Sequence, residues 1–209
     1  GSTLSDLLLG NHSKLVSMGE IYDSIYINQG DLSGCTCGKK AKKCEVWGST
    51  LQKIRESESK INYIDTYKDI INSVKREYGE DSIIVDSSKK LRSLEKLKML
   101  SNQEGYDLKV LFLVKDLRNY INSQKQRGNI KEKREKDGWR SLYSASYIYN
   151  IYFWLRQNKA IKKFLNSNDI DYYQFGYEEL CFQPQYIMNK ICDFIDIEFE
   201  SSMLIPKGG

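Results

Sequence analysis

Residues 108–123, Leu-Lys-Val-Leu-Phe-Leu-Val-Lys-Asp-Leu-Arg-Asn-Tyr-Ile-Asn-Ser, constrain the fold of this chain more tightly than any other segment. The apolar run, rich in valine, leucine and phenylalanine, predicts a buried strand over 108–114. The charged turn after it opens a helix over about 116–127. That turn carries Lys115 and Arg118, and Ser123 follows Lys115 by about two helical turns. Cations and a hydroxyl at the carboxyl end of a strand, beside a helix N-terminus, suit an anion such as a phosphate. An ordinary strand-to-helix connection with solvated charges has the same local pattern, so the neighbouring segments decide.

Those segments alternate between the two periodicities. Leu4, Leu7 and Leu8 recur at helical spacing and Gly10-Asn11 offers a stop. Residues 28–50 are polar and glycine-bearing, an excursion from the core. Ile64, Tyr67, Ile70, Ile71, Val74 and Tyr78 mark an amphipathic helix from about Asn62 to Tyr78, followed by a β-branched strand over 82–85 and a basic helix over about 90–100. After the 108–127 unit comes a very basic stretch, 125–136, read as a loop or frayed helix. A long helix over 139–165 follows, with Tyr149, Phe153, Trp154 and Phe164 expected in the core. A strand near 170–175 and a helix over about 184–194 close the pattern. Strands alternating with helices predict an α/β fold with a mostly parallel sheet, whose ligands bind at the strands' carboxyl ends.

Five short segments, in this order, give the chain a resemblance to a known family. They are Gly1-Ser2-Thr3-Leu4; Val16-Ser17-Met18-Gly19-Glu20; Val85-Asp86-Ser87-Ser88-Lys89; Leu113-Val114-Lys115-Asp116-Leu117-Arg118 with Ser123; and Phe175-Gly176-Tyr177-Glu178-Glu179-Leu180 followed by Pro184 and Ile191-Cys192-Asp193-Phe194-Ile195. The set resembles the sulfotransferases that use 3′-phosphoadenosine-5′-phosphosulfate as donor, in their bacterial form, related to the tyrosylprotein and carbohydrate enzymes. The resemblance implies a single P-loop-like, three-layer α/β domain with helices flanking a central, mostly parallel sheet. It also implies a core trimmed at both ends, with the first strand and the C-terminal donor-binding loop outside the 209 residues. Two positions depart from the family pattern: Lys115 stands for its usual Arg and Leu117 for its usual Pro. Lysine still neutralises a phosphate, but as a point charge without the bidentate fork.

Carried over residue by residue, the resemblance assigns Gly1, Ser2 and Thr3 to the 5′-phosphosulfate, Lys115 and Ser123 to the 3′-phosphate, and Tyr177 to the neighbourhood of the adenine. The acceptor must lose a proton as the sulfur–oxygen bond forms, so a base is useful. Glu20 is the candidate base, and Lys89 a cation able to hold the sulfonate, a role Lys90 beside it can also fill. His12, the sole histidine, is the competing base, in a Gly-Asn-His segment that also suits a helix end. Sulfuryl transfer needs positioning and charge neutralisation, and the resemblance implies that no metal is required.

Cys35-Thr36-Cys37-Gly38 with Cys44 and Trp47 resembles a cysteine-bearing insert of bacterial sulfotransferases. Three thiols this close can bind zinc if a fourth ligand comes from elsewhere, or form a labile disulfide. Because C-x-C is tighter than the usual knuckle and no histidine is near, free thiols and no metal are expected. Cys181 and Cys192 lie in apolar segments and are expected in the core. An odd cysteine count without a secretory segment points to reduced thiols and a cytoplasmic protein. The net charge of +4 is modest and spread out, which points away from nucleic acid, and no run is long enough to span a membrane. The acceptor stays open among glycan, lipid, peptide tyrosine and small molecule. Two other readings compete. A P-loop phosphotransferase needs a Gly-Lys-[Ser/Thr] that the first loop lacks, and a non-catalytic nucleotide-binding module needs no base at all.

Overall fold

The computed structural model describes residues 2–26, 35, 37–56, 62–128 and 146–205. Gly1, most of the basic stretch and the start of the expected 139–165 helix lie outside the described residues. The chain divides into two compact units, Ser2–Leu108 with the residues from Met188 on, and Lys109–Ile187.

The first unit opens with helix α1 (Ser2–Leu9), strand β1 (Leu15–Ser17) and helix α2 (Ile21–Tyr26). Helices α3 (Trp47–Glu56) and α4 (Tyr63–Tyr78), strand β2 (Ile83–Val85) and helix α5 (Leu91–Glu104) follow. α4 starts where the Asn62 side chain accepts the Ile64 N–H at 3.1 Å, an N-cap that satisfies one orphan donor. Of its expected stripe Tyr67, Ile70, Ile71 and Val74 are buried, joined by Tyr63, whereas Ile64 is partly buried and Tyr78, at the end of the helix, is exposed. That stripe packs into one cluster with Met18, Ile21 and Ile25 from the β1–α2 region and with Val46, Trp47, Leu51 and Ile54 from α3. β1 and β2 pair in parallel, Leu15 with Ile83 through Ser17 with Val85, with the α2–α4 region as the crossover that parallel strands require.

The second unit holds strand β3 (Val110–Val114), helix α6 (Leu117–Gly128), helix α7 (Tyr147–Ser167), strand β4 (Tyr172–Gly176) and the short helix α8 (Tyr177–Phe182). β3 and β4 are parallel, with Val110 opposite Tyr172 and Val114 opposite Gly176. Helix α9 (Pro184–Ile195) carries the chain into the C-terminal part of the first unit, where Met188, Ile191, Cys192 and Met203 are buried.

The fold is α/β with parallel strand pairs, as the alternation predicts; among the described residues the strands pair two by two. No helix among them is long and apolar enough to cross a membrane. Three local expectations are corrected. β1 and α2 carry no periodic signal, being a three-residue strand and a six-residue helix, and α3 begins inside the 28–50 stretch expected to leave the core, where Ala41, Cys44, Val46 and Trp47 are instead buried in the core cluster. The aromatics expected in the core on 139–165 divide. Trp154 and Phe164 are partly buried, whereas Tyr149 and Phe153 stack on each other at 6.1 Å and stand 42% and 40% exposed. A long helix with apolar residues on most faces cannot bury all of them against one neighbour. Cys181 is exposed at the end of α8; only Cys192 is buried.

Candidate functional site

In the second unit the strand register builds the site. The parallel pairing ends at Val114 opposite Gly176, so the next residues, Lys115 and Tyr177, leave the two strands side by side at their carboxyl ends. The Lys115 ammonium lies 4.9 Å from the centroid of the Tyr177 ring. It donates to the Ser123 hydroxyl at 2.7 Å, which donates in turn to the Asn119 carbonyl at 2.9 Å, one helical turn back. Lys115 thus touches both of the other residues that the resemblance assigned to the 3′-phosphate and adenine, Ser123 and Tyr177.

Glu178 fixes the turn that carries them. Its carboxylate accepts the Asp116 N–H at 3.0 Å and the Asn119 amide at 2.7 Å, while the Trp154 indole donates to the Lys115 carbonyl at 3.0 Å. Burial raises Glu178, but these hydrogen bonds outweigh it and hold the carboxyl below its ordinary value. Arg118 is exposed and grips its own Asp116 through Nε and Nη2, at 3.1 and 3.2 Å. Among the described residues, by contrast, no carboxylate pairs with Lys115.

In the first unit the Val85–Lys89 segment folds onto the start of α2. Gly19, at φ +65, occupies the left-handed region that favours glycine and turns the chain from β1 into α2. Its carbonyl accepts the Ser87 N–H at 2.9 Å. Asp86 gathers the turn: one carboxylate oxygen accepts Ile21 N–H at 3.2 Å, Ser88 N–H at 2.9 Å and the Ser88 hydroxyl at 2.6 Å, and the other accepts Tyr67 OH at 3.4 Å. The Ser88 hydroxyl accepts the Tyr22 N–H at 3.0 Å. This scaffold places the two candidate catalytic side chains together, with Lys89 Nζ on Glu20 Oε1 at 2.5 Å. Lys90, the other candidate for the sulfonate, is engaged with Asp23 at 2.8 Å.

Burial pushes the Asp86 carboxyl up to about 6, against the pull of its donors from Ser88, Ile21 and Tyr67. The native state therefore holds this proton more tightly than an unfolded chain, in which the group keeps its ordinary 3.8. The stability it contributes is fully present below the unfolded value and is lost as pH rises through the folded one. Relative to Asp86→Asn, the wild type should lose up to about 3 kcal/mol between about pH 4 and 6 and run parallel to the variant above that. Urea unfolding at stepped pH measures this, and parallel curves throughout that window would show that Asp86 does not titrate there.

The other sequence candidates are placed as follows. Ser2 and Thr3 already belong to the first turn of α1, with Ser2 partly buried and Thr3 exposed, and the Ser2 carbonyl accepts the Ser5 hydroxyl at 3.0 Å. Gly1 lies outside the described residues. His12 is 5% exposed, and both ring nitrogens are engaged: Nδ1 accepts the Lys14 N–H at 3.0 Å and Nε2 donates to the Glu198 carbonyl at 2.8 Å. That arrangement ties the end of α1 to the C-terminal segment and leaves neither nitrogen free to take a proton from an acceptor.

Asp6, on the second turn of α1, was not foreseen. It is 8% exposed, and its Oδ1 has no hydrogen-bond partner among the described residues. Burial raises its carboxyl above the usual range, opposed by the Ser17 hydroxyl and the Lys89 charge and reinforced by Glu20. Asp6 thus lies within electrostatic reach of the Glu20–Lys89 pair. A lone aspartate inside a short leucine helix carries no sequence signal of this.

The Cys35, Cys37 and Cys44 thiols also converge, all three sulfurs lying within 4.8 Å of one another.

Comparison with known proteins bears on the fold. Over 100% of its length this chain matches the sulfotransferase domain from the curacin biosynthetic pathway, covering 74% of that chain with a TM-score of 0.65 at 23% sequence identity. The chain therefore takes the sulfotransferase fold. No family model matches it, and neither does any curated protein.

Proposed function

We propose that the chain is a sulfotransferase that moves a sulfuryl group from 3′-phosphoadenosine-5′-phosphosulfate to a hydroxyl or amine. The observation that carries the reading is the Lys115–Ser123–Tyr177 group: an ammonium without a carboxylate partner among the described residues, a hydroxyl and an aromatic face at the carboxyl ends of two parallel strands. These groups fit a phosphate beside a purine, because Lys115 neutralises the anion, the Ser123 hydroxyl can rotate its proton from the Asn119 carbonyl to it, and Tyr177 offers a ring to stack on. Ser2 and Thr3, at the start of α1, are assigned the 5′-phosphosulfate, where first-turn N–H groups favour an anion.

Glu20 accepts the acceptor's proton, and Lys89, held on it, carries negative charge that develops on the sulfonate. Asp86 is a positioning residue that fixes the turn on which Lys89 stands. No metal enters these roles.

Nucleotide titration calorimetry tests the reading. Adenosine 3′,5′-bisphosphate should bind at least about tenfold more tightly than AMP or ATP, since only the bisphosphate offers Lys115 and Ser123 a 3′-phosphate. Tighter binding of ATP would favour a phosphotransferase instead. Selective bisphosphate binding with no transfer to any hydroxyl or amine acceptor would leave a nucleotide-binding module.

A further inference from the structure

We propose that Cys35, Cys37 and Cys44 form a metal site that takes one thiophilic divalent ion, Zn2+, with a solvent-derived fourth ligand. The pattern of cysteines alone led to an expectation of free thiols; their convergence in space is what argues otherwise. All three sulfurs lie within 4.8 Å of one another, and Cys35 Sγ and Cys44 Sγ are 3.5 Å apart. Ligands on a tetrahedral zinc at the usual Zn–S distance are separated by about 3.8 Å, so an ion can enter with side-chain adjustments of well under a bond length.

The surroundings are built rather than incidental. Cys35 and Cys37 ride on a closed turn in which the Gly38 N–H donates to the Cys35 carbonyl at 2.9 Å and the Cys35 N–H donates to the Lys39 carbonyl at 3.0 Å, with Gly38 at φ +80. Cys44 is 5% exposed and belongs to the core cluster of the first unit beside Trp47. The Trp47 N–H points at the Cys44 sulfur, 3.5 Å away, a donor that steadies a metal-bound thiolate.

Two arguments separate a metal from a disulfide. A disulfide uses two of the three sulfurs and leaves the third thiol in reach of the bond, free to exchange with it, whereas a metal uses all three. Charge also favours it: three thiolates on a dication carry one net negative charge, and the Lys39 ammonium, paired with Glu45 at 2.6 Å, is within electrostatic reach of Cys37. Binding converts three thiols to thiolates and releases their protons to solvent. No fourth Cys, His, Asp or Glu joins the cluster among the described residues, and Cys37 is exposed, so the remaining position faces water. Its consequence is structural, an ion clamping the 35–44 segment onto the core at Trp47, and it is independent of the sulfuryl-transfer reading.

The test uses the full chain, purified reduced and without a metal-affinity step. Elemental analysis should find about one zinc per chain, as a single three-thiolate site requires. Cobalt(II) added to the metal-free protein should give thiolate-to-metal charge transfer in the near ultraviolet and the intense visible bands of a tetrahedral ion. Because Cys44→Ser risks unfolding the core, the decisive variant is Cys37→Ser, exposed in the fold. It should lose the zinc and both cobalt signals while its far-ultraviolet circular dichroism stays that of the wild type, and Cys181→Ser should keep all of them. The proposal is overturned if the reduced, folded protein offered Zn2+ or Co2+ holds no stoichiometric ion. It is equally overturned if thiol titration finds two thiols missing and no metal, the result for a Cys35–Cys44 disulfide, or if Cys37→Ser binds as the wild type does.

Discussion

Glu20→Gln should lower the turnover of sulfuryl transfer by at least about a hundredfold while donor affinity stays near the wild-type value. A positioned general base contributes typically about 10²–10⁴-fold, and the amide cannot take a proton at neutral pH. The substitution isolates that chemistry. Glutamine keeps the length of the side chain and an oxygen for Lys89, which contacts Glu20 Oε1 at 2.5 Å, so the turn built on Asp86 and Gly19 should persist. Neither partner is deeply buried, with side-chain exposures of 36% for Glu20 and 47% for Lys89, so losing the ion pair costs little stability. His12→Gln provides the control. His12 is buried with both nitrogens engaged, so its replacement should change the rate by less than about tenfold and act on stability instead. A large rate loss in His12→Gln with a silent Glu20→Gln would move the role of base. Two silent substitutions would mean that Glu20 does not serve.

The helices and strands that the sequence disclosed are those with enough residues to show a period. α4 was legible because apolar residues recur at helical spacing between a capping asparagine and a glycine, four of them buried, and β3 because five consecutive apolar residues lead into a charged turn. β1 and α2 were not, though Glu20 lies between them, because three residues of strand and six of helix fall below any periodic test. The Lys115–Ser123 contact could be anticipated, since both lie in one continuous strand–turn–helix segment. The place of Tyr177 depends on the register of β3 against β4, which a single sequence does not contain. Asp86 shows the same limit: the Asp-Ser-Ser-Lys segment was visible, but that its aspartate accepts the Ile21 N–H of α2 and the Tyr67 hydroxyl of α4 is a tertiary fact. Asp6 and the convergence of the three thiols are further cases, set by packing and loop closure rather than by local pattern.

The donor assignment rests on one cation, so the sharpest measurement compares two nucleotides on two proteins. Adenosine 3′,5′-bisphosphate and AMP are titrated calorimetrically into the wild type and into Lys115→Ala. Losing a charge-assisted hydrogen bond costs about 1.5–3 kcal/mol, which is roughly a 10- to 100-fold change in affinity. Lys115 is only partly buried and its backbone is held by Trp154, so its removal should leave the turn intact. The predicted result is a roughly 10- to 100-fold weaker bisphosphate complex in Lys115→Ala, with AMP changed by less than about twofold. Equal losses for both nucleotides, or none for either, would contradict a 3′-phosphate site at Lys115 and Ser123.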